Sequence, residues 1–218
     1  MTSYFKNPRL IFIALILTSM VGCSGKSIED GDPGELLQEA EQNIKNDHYQ
    51  LAIERLRIVK NKYPYSKYAV EAQLRIADVY FLQESYGEAA ISYEGFRDLH
   101  PKHEKAAYAM FRIGKSYFND RPGNVARDLT PNQKSLDAYN EFVKRFPESP
   151  QASDARADIH VLREELAEKE LYIAKFYTRE DQPESAKKRY AKLIDAYPDT
   201  NAAEAAKKNL EKLQDSKN

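Results

Sequence analysis

The chain has 218 residues, with 33 Lys and Arg against 34 Asp and Glu, a formal net charge of −1. So even a balance argues against nucleic acid as the main partner, which asks for a basic face. There is one cysteine, which excludes an intramolecular disulfide and a multi-thiolate metal site.

Residues 1–22 read as a secretory signal, with Lys6 and Arg9 at its basic start and an apolar run from Leu10 to Leu17. That run is too short for a comfortable transmembrane helix. Met20-Val21-Gly22-Cys23 resembles a bacterial lipobox, although Met20 stands where Leu is usual. The resemblance implies cleavage before Cys23 and a covalent lipid on it, and Ser24 in place of Asp implies the outer membrane. The other reading is an ordinary signal with an incidental buried thiol. Cleavage there leaves residues 23–218 with 31 basic and 34 acidic residues, a net charge of about −3 once Lys6 and Arg9 are gone. Residues 23–34 form a polar tether, ending in Asp32-Pro33-Gly34-Glu35, a helix start with a cap and an N1 proline.

From there to the end, one pattern recurs. Aligning the chain on Pro64, Pro101, Pro147 and Pro198 brings Leu56, Tyr93, Tyr139 and Tyr190 into register, and likewise Ala52, Ala89, Ser135 and Ala186. After the prolines, Ala69, Ala106, Ala152 and Ala203 align, as do Ala72, Ala109, Ala155 and Ala206. The offsets place these residues on helical stripes, and each proline ends one helix before the next begins. Ser66, Ser149 and Thr200 are the expected N-caps, with His103 the weak case. The unit of helix, turn, helix, proline has a basic length near the ~34 residues of a tetratricopeptide repeat. Ala77, Tyr80, Ala89, Tyr93 and Pro101 resemble that repeat's small, aromatic and proline positions, with Phe96 where Ala is usual. The fold class is therefore all-α: a tetratricopeptide-repeat superhelix of antiparallel helix pairs, about five repeats over residues 35–218. The repeats fall near 35–64, 66–101, 103–147 and 151–198, with a capping helix at 202–213.

Two repeats are longer than the basic unit. In the third, residues 119–131 (NDRPGNVARDLTP) form an inserted loop, with Thr130-Pro131-Asn132-Gln133 expected as a capping box. The loop is either a tolerated surface insertion or a surface shown to a partner through Arg121, Arg127 and Asp128. In the fourth, no breaker interrupts residues 151–177, so one helix runs for about 40 Å at 1.5 Å per residue. His160 falls where the earlier repeats carry Ala77 and Gly114, which predicts looser packing there.

No catalytic or phosphate-binding motif is present, and His48, His100, His103 and His160 lack the neighbours of a metal site. The chain reads as non-enzymatic. Its binding potential lies in the first helices of the pairs, whose concave side would carry Leu74, Asp78, Phe81, Tyr108, Phe111, Lys115 and Phe118. With Arg75 and Arg112 nearby, that side could receive an apolar peptide end with a carboxylate. The alternative for each is ordinary packing between repeats.

As a whole, the chain resembles the BamD/ComL family of outer-membrane β-barrel assembly lipoproteins. The resemblance covers residues 23–213 and rests on the lipobox, the helical pairs, the Arg127-Asp128 loop, the extended helix, and two late runs, Phe176-Tyr177-Thr178-Arg179 and Tyr197-Pro198-Asp199-Thr200. It departs in a short C-terminal tail and at Asp181 to Glu184. The resemblance implies that the C-terminal repeats dock on the periplasmic domains of a barrel-forming subunit, with Arg127, Asp128, Tyr177, Arg179 and Arg189 as docking residues. It also implies that the N-terminal repeats receive unfolded outer-membrane clients, that other assembly lipoproteins join the complex, and that the only added group is the lipid on Cys23. The expected location is the periplasmic face of the outer membrane of a Gram-negative bacterium. The runner-up is another envelope repeat lipoprotein, a secretin pilotin or a division coordinator. A muramidase, the rival from the enzymes, would need a further catalytic domain.

Overall fold

The computed structural model describes residues 31–215, and signal and Cys23 lie outside them. Among the described residues there are nine α-helices and no strand: α1 (Pro33–Lys45), α2 (Tyr49–Lys62), α3 (Lys67–Leu82), α4 (Tyr86–Leu99), α5 (Ala106–Asn119), α6 (Thr130–Arg145), α7 (Ala152–Arg179), α8 (Pro183–Ala196) and α9 (Asn201–Asp215). Each helix packs mainly on the next, so four antiparallel pairs and a closing helix form an array in which cores lie between neighbours. None of the described helices is long and apolar enough to cross a membrane.

The repeated positions are the core. Tyr93, Tyr139 and Tyr190 are fully buried, Leu56 holds the same place in the first pair, and the aligned alanines let the helices approach. Gly114 marks the closest approach: a Cβ there would stand 2.5 Å from the Tyr139 ring.

Helix ends differ from the sequence reading. Asp32 caps α1 by accepting from the Gly34 and Glu35 N–H groups, as expected. Thr200 caps the start of α9 by accepting from Ala203 N–H at 3.2 Å. Ser66 makes no side-chain cap bond, and the Ser149 hydroxyl goes to Gln151 instead. Nor does a capping box form at Thr130: Gln133 turns to Asp137, while Asp128 Oδ1 accepts from both the N–H and the hydroxyl of Thr130. Asp128 is the better placed group because it lies two residues ahead of the first turn, where the free N–H groups point.

The turns inside the first, second and fourth pairs share a device that the sequence does not advertise. Asp47, Glu84 and Asp181 adopt left-handed φ values of 58°, 62° and 52°. That conformation lets His48 N–H reach back to Asn43 O and Ser85 N–H to Tyr80 O, which satisfies the last carbonyls of the preceding helix.

The 28-residue α7 serves two neighbours. Its first half, with Ala155 and Leu162, packs on α6; its second, with Ala167, Leu171 and Ala174, packs on α8 and α9. His160 is exposed and marks no loose contact, contrary to expectation. The extension carries the close approach further along the helix, to the fully buried Ala174. Near the middle of α7, Glu164 accepts from Asn201 and Ala202 N–H at 2.9 and 3.0 Å, a cap supplied to α9 by another helix.

Candidate functional site

The site is built where α3 meets α5. Between them lies a cleft of about 470 Å³ with apolar walls from Val70, Leu74 and Phe96 and charged rims that include Lys67 and Lys105. Its floor is an ionic network centred on Asp78, only 8% exposed. Asp78 Oδ1 accepts from the hydroxyls of Tyr93 (2.6 Å) and Tyr108 (2.7 Å), and its Oδ2 from Arg75 Nη1 (3.0 Å). Arg75 also grips Glu41 of α1 in a bidentate pair, at 2.6 and 2.8 Å. Arg112 donates to the Tyr93 hydroxyl and lies 3.5 Å from the Phe81 ring centroid. The network thus joins the first three helix pairs.

Its electrostatics follow from burial and charge. Burial, then the Asp78 charge, pushes the Tyr93 and Tyr108 hydroxyls up, so both remain neutral donors. Burial alone would lower Arg75, but Glu41 and Asp78 outweigh it and hold the guanidinium firmly charged.

Of the seven residues expected on the concave side, the cleft gathers Leu74, Asp78 and Tyr108. The other four have different surroundings. Phe81 lies beneath Arg112, and Phe118 beneath Arg121 with Lys115 also over its face. Phe111 packs against Tyr139 and Phe142. Lys115 pairs with Asp158, which also accepts from Tyr139. Arg75 and Arg112 are already held inside the chain, so the cations on the cleft rim are Lys67 and Lys105. Sequence reasoning missed those two lysines because they precede the helical stripes it followed.

The inserted loop is fastened to α7. Lys169 donates to the carbonyls of Ala126 and Arg127, both at 3.0 Å, and Glu165 accepts from Arg121 and from Asn132. Arg127 and Asp128 remain exposed on it. Hydrogen bonds from Thr130 hold the Asp128 carboxyl below the ordinary carboxylate range.

At the C-terminal end, Arg189 donates to Glu170 at 3.0 Å beside Lys192 at 2.9 Å. Burial favours the neutral Glu170 carboxyl, but bonds from Lys192 and Arg189 prevail and leave its pKa lowered. Tyr177 packs among the core residues of α7, α8 and α9, while Arg179 is exposed. Beside it, Tyr172 and Phe176 show 48% and 43% of their surface, one turn apart on the outer side of α7. The five docking residues inferred from sequence do not converge: Arg127 and Asp128 sit on the loop, and the other three belong to α7 and α8. Among the described residues, no group of three or more His, Cys, Asp and Glu could hold a metal ion.

A cleft and exposed turns on a stack of antiparallel helix pairs define a class: an all-α helical-repeat protein. Residues 29–216 match the family model YfiO, described as an outer membrane lipoprotein, and the chain belongs to that family. Its relatives include the outer membrane protein assembly factor BamD of Vibrio cholerae serotype O1, 29% identical over 208 residues, covering 90% of this chain and 85% of the relative. BamD of Neisseria gonorrhoeae is 29% identical over 192 residues, covering 84% and 72% of the two chains. BamD of Pasteurella multocida is 27% identical over 201 residues, covering 88% and 77%. Among solved structures, a tetratricopeptide repeat protein from Parabacteroides merdae gives a TM-score of 0.43 at 16% identity, covering 84% of this chain and 60% of that one.

Proposed function

We propose that this chain is a non-enzymatic subunit of the outer-membrane protein assembly machinery, anchored by a lipid on Cys23 at the periplasmic face of the outer membrane. Relatives named as outer membrane protein assembly factors support the setting. The observation that carries the client role is the cleft between α3 and α5, with apolar walls and a rim of mixed charge on which Lys67 and Lys105 stand beside Glu71 and Glu104. An extended apolar segment ending in a carboxylate matches it: the side chain lies against Leu74 and Val70, the carboxylate meets Lys67 or Lys105, and Tyr108 closes one side. A photo-crosslinking residue at Leu74 should capture nascent outer-membrane proteins in cells, and one at His48, away from the cleft, should not. Equal capture at both positions removes the cleft from the client path.

Docking on the barrel-forming subunit is assigned to the C-terminal pairs. The exposed Tyr172, Phe176 and Arg179 support it, because aromatic and Arg side chains dominate interface energetics. Arg189 acts there through its pairing with Glu170 rather than as a free cation. Arg179→Glu should weaken binding to the partner's periplasmic domains well beyond Lys102→Glu, an exposed charge in an earlier turn; equal losses refute the assignment. Replacing Cys23 with Ala should release the protein from outer membranes washed in high salt in cells lacking the partner, and retention there refutes the anchor.

A further inference from the structure

The outer face of α4 carries a row of four residues one helical turn apart: Gly87, Ile91, Gly95 and Leu99. Ile91 and Leu99 are 66% and 68% exposed, among the most exposed large hydrophobic residues described. A Cβ built on Gly87 or Gly95 meets nothing within 4 Å, so each glycine is an open notch beside an exposed aliphatic knob. Gly95 lies inside the helix, where glycine weakens it relative to alanine, so its place in the row needs a reason other than helix stability.

The repeats supply an internal comparison. At the place of Ile91 the other three pairs carry Glu54, Asp137 and Lys188, all charged and exposed. At the place of Gly87 they carry Gln50, Gln133 and Glu184, and Lys62 and Arg145 are among the counterparts of Leu99. In the other three pairs this face carries mostly polar and charged residues; in the second it is an uncharged row of alternating knobs and notches.

We infer that this row is a contact surface for the same row of a second copy of this chain. The row is complementary to itself when reversed. In an antiparallel crossing with Ile91 over Gly95 of the second copy, Gly95 receives Ile91, Leu99 faces Gly87 and Gly87 faces Leu99, so every knob has a notch. Rows with this four-residue spacing align when helices cross at about 50°, the commonest helix packing in globular proteins. The same register sets exposed Glu84 opposite exposed Lys102 of the second copy, and brings Glu88 to Asp98, whose charge is already met by Arg97 at 2.8 Å. One helix row buries less than the ~1,000 Å² of a lasting interface, so the contact is reversible and is detected by trapping rather than as a stable dimer. The inference stands on α4 alone and not on the proposed client or docking roles.

The test is disulfide trapping of the full-length chain in its own membranes. Ile91→Cys and Gly95→Cys variants, carrying different tags, are co-expressed and mildly oxidised. The reference is the corresponding pair in the third repeat, Asp137→Cys with Glu141→Cys, and the unsubstituted chain sets the background from Cys23. Both substituted positions lie on exposed helix faces, and unchanged circular dichroism of each variant confirms folding. The expected result is a doubly tagged adduct at twice the chain mass, several-fold above both references. An adduct no stronger than theirs overturns the inference. An adduct of Ile91→Cys with a different protein also overturns it, because the occupant would then not be a second copy.

Discussion

Replacing Gly114 with alanine tests the packing logic of the whole array, because two effects of opposite sign meet at one atom. Alanine is favoured over glycine inside a helix by about 1 kcal/mol. Against this, the new methyl would stand 2.5, 2.6 and 2.8 Å from three ring carbons of Tyr139. The ring has no easy retreat: Tyr139 is fully buried, its hydroxyl is held by Asp158 at 2.8 Å, and Phe111 packs beside it. Three contacts that short put the overpacking cost at the upper end of the usual range, about 3 kcal/mol. The balance is a net loss of about 2 kcal/mol, or a Tm lower by roughly 4–8 °C for a chain of this size. Thermal unfolding followed by circular dichroism measures it. Gly95→Ala is the control, since nothing opposes its methyl, and its Tm should rise by up to about 4 °C. In a Tyr139→Leu background the Gly114→Ala penalty should shrink by 1 kcal/mol or more, as expected for residues in direct contact. A Gly114→Ala protein as stable as the parent would refute the close approach of α5 and α6.

Asp78→Ala should destabilise the first three pairs by about 2–4 kcal/mol, since it strands the buried Tyr93 hydroxyl and the half-buried Tyr108 hydroxyl, whereas Asp78→Asn keeps an acceptor and should cost less; urea unfolding distinguishes them. Glu170 has a folded pKa below its unfolded value of about 4.5, so its pairing with Arg189 and Lys192 contributes fully only above that value and is lost as pH falls through the folded one. Glu170→Gln should therefore flatten the decline in Tm below about pH 4.5, and an unchanged acid limb would count against the pairing. Tyr117, pushed up to about 12 by burial and then by Glu94, stabilises fully below pH 10 and progressively less up to pH 12. Tyr117→Phe should weaken the fall in stability across that window. Glu84→Gly should raise Tm, because the left-handed turn costs a non-glycine residue about 1 kcal/mol or more.

The array was legible because its signal is redundant: four prolines bring the same residue types into register, and burial of Tyr93, Tyr139 and Tyr190 follows from that register. Single-residue readings fared worse where two groups competed for one role. Ser66 has the right type for a cap and makes no such bond, while Asp128, two places earlier, displaces the box expected from Thr130. The left-handed turns carry Asp and Glu where glycine would have announced them. His160 misled because alignment on prolines assumes a constant repeat, and α7 is longer than the others. Of the cleft, the stripe gave Leu74, Asp78 and Tyr108, but the partners of Arg75 and Arg112 are long-range contacts that no local spacing reveals.

The length of α7 has a mechanical consequence. At 1.5 Å per residue its 28 residues make a strut of about 42 Å, and a continuous helix cannot hinge without breaking backbone hydrogen bonds. The clamps at Glu165 and Lys169 tie the inserted loop to the middle of that strut, and α8 and α9 are seated on its far half. A load applied at Phe176 therefore has no joint in which to dissipate before it reaches the loop. The loop and the two last helices swing as one lever, and compliance is left to the boundaries between the shorter pairs upstream.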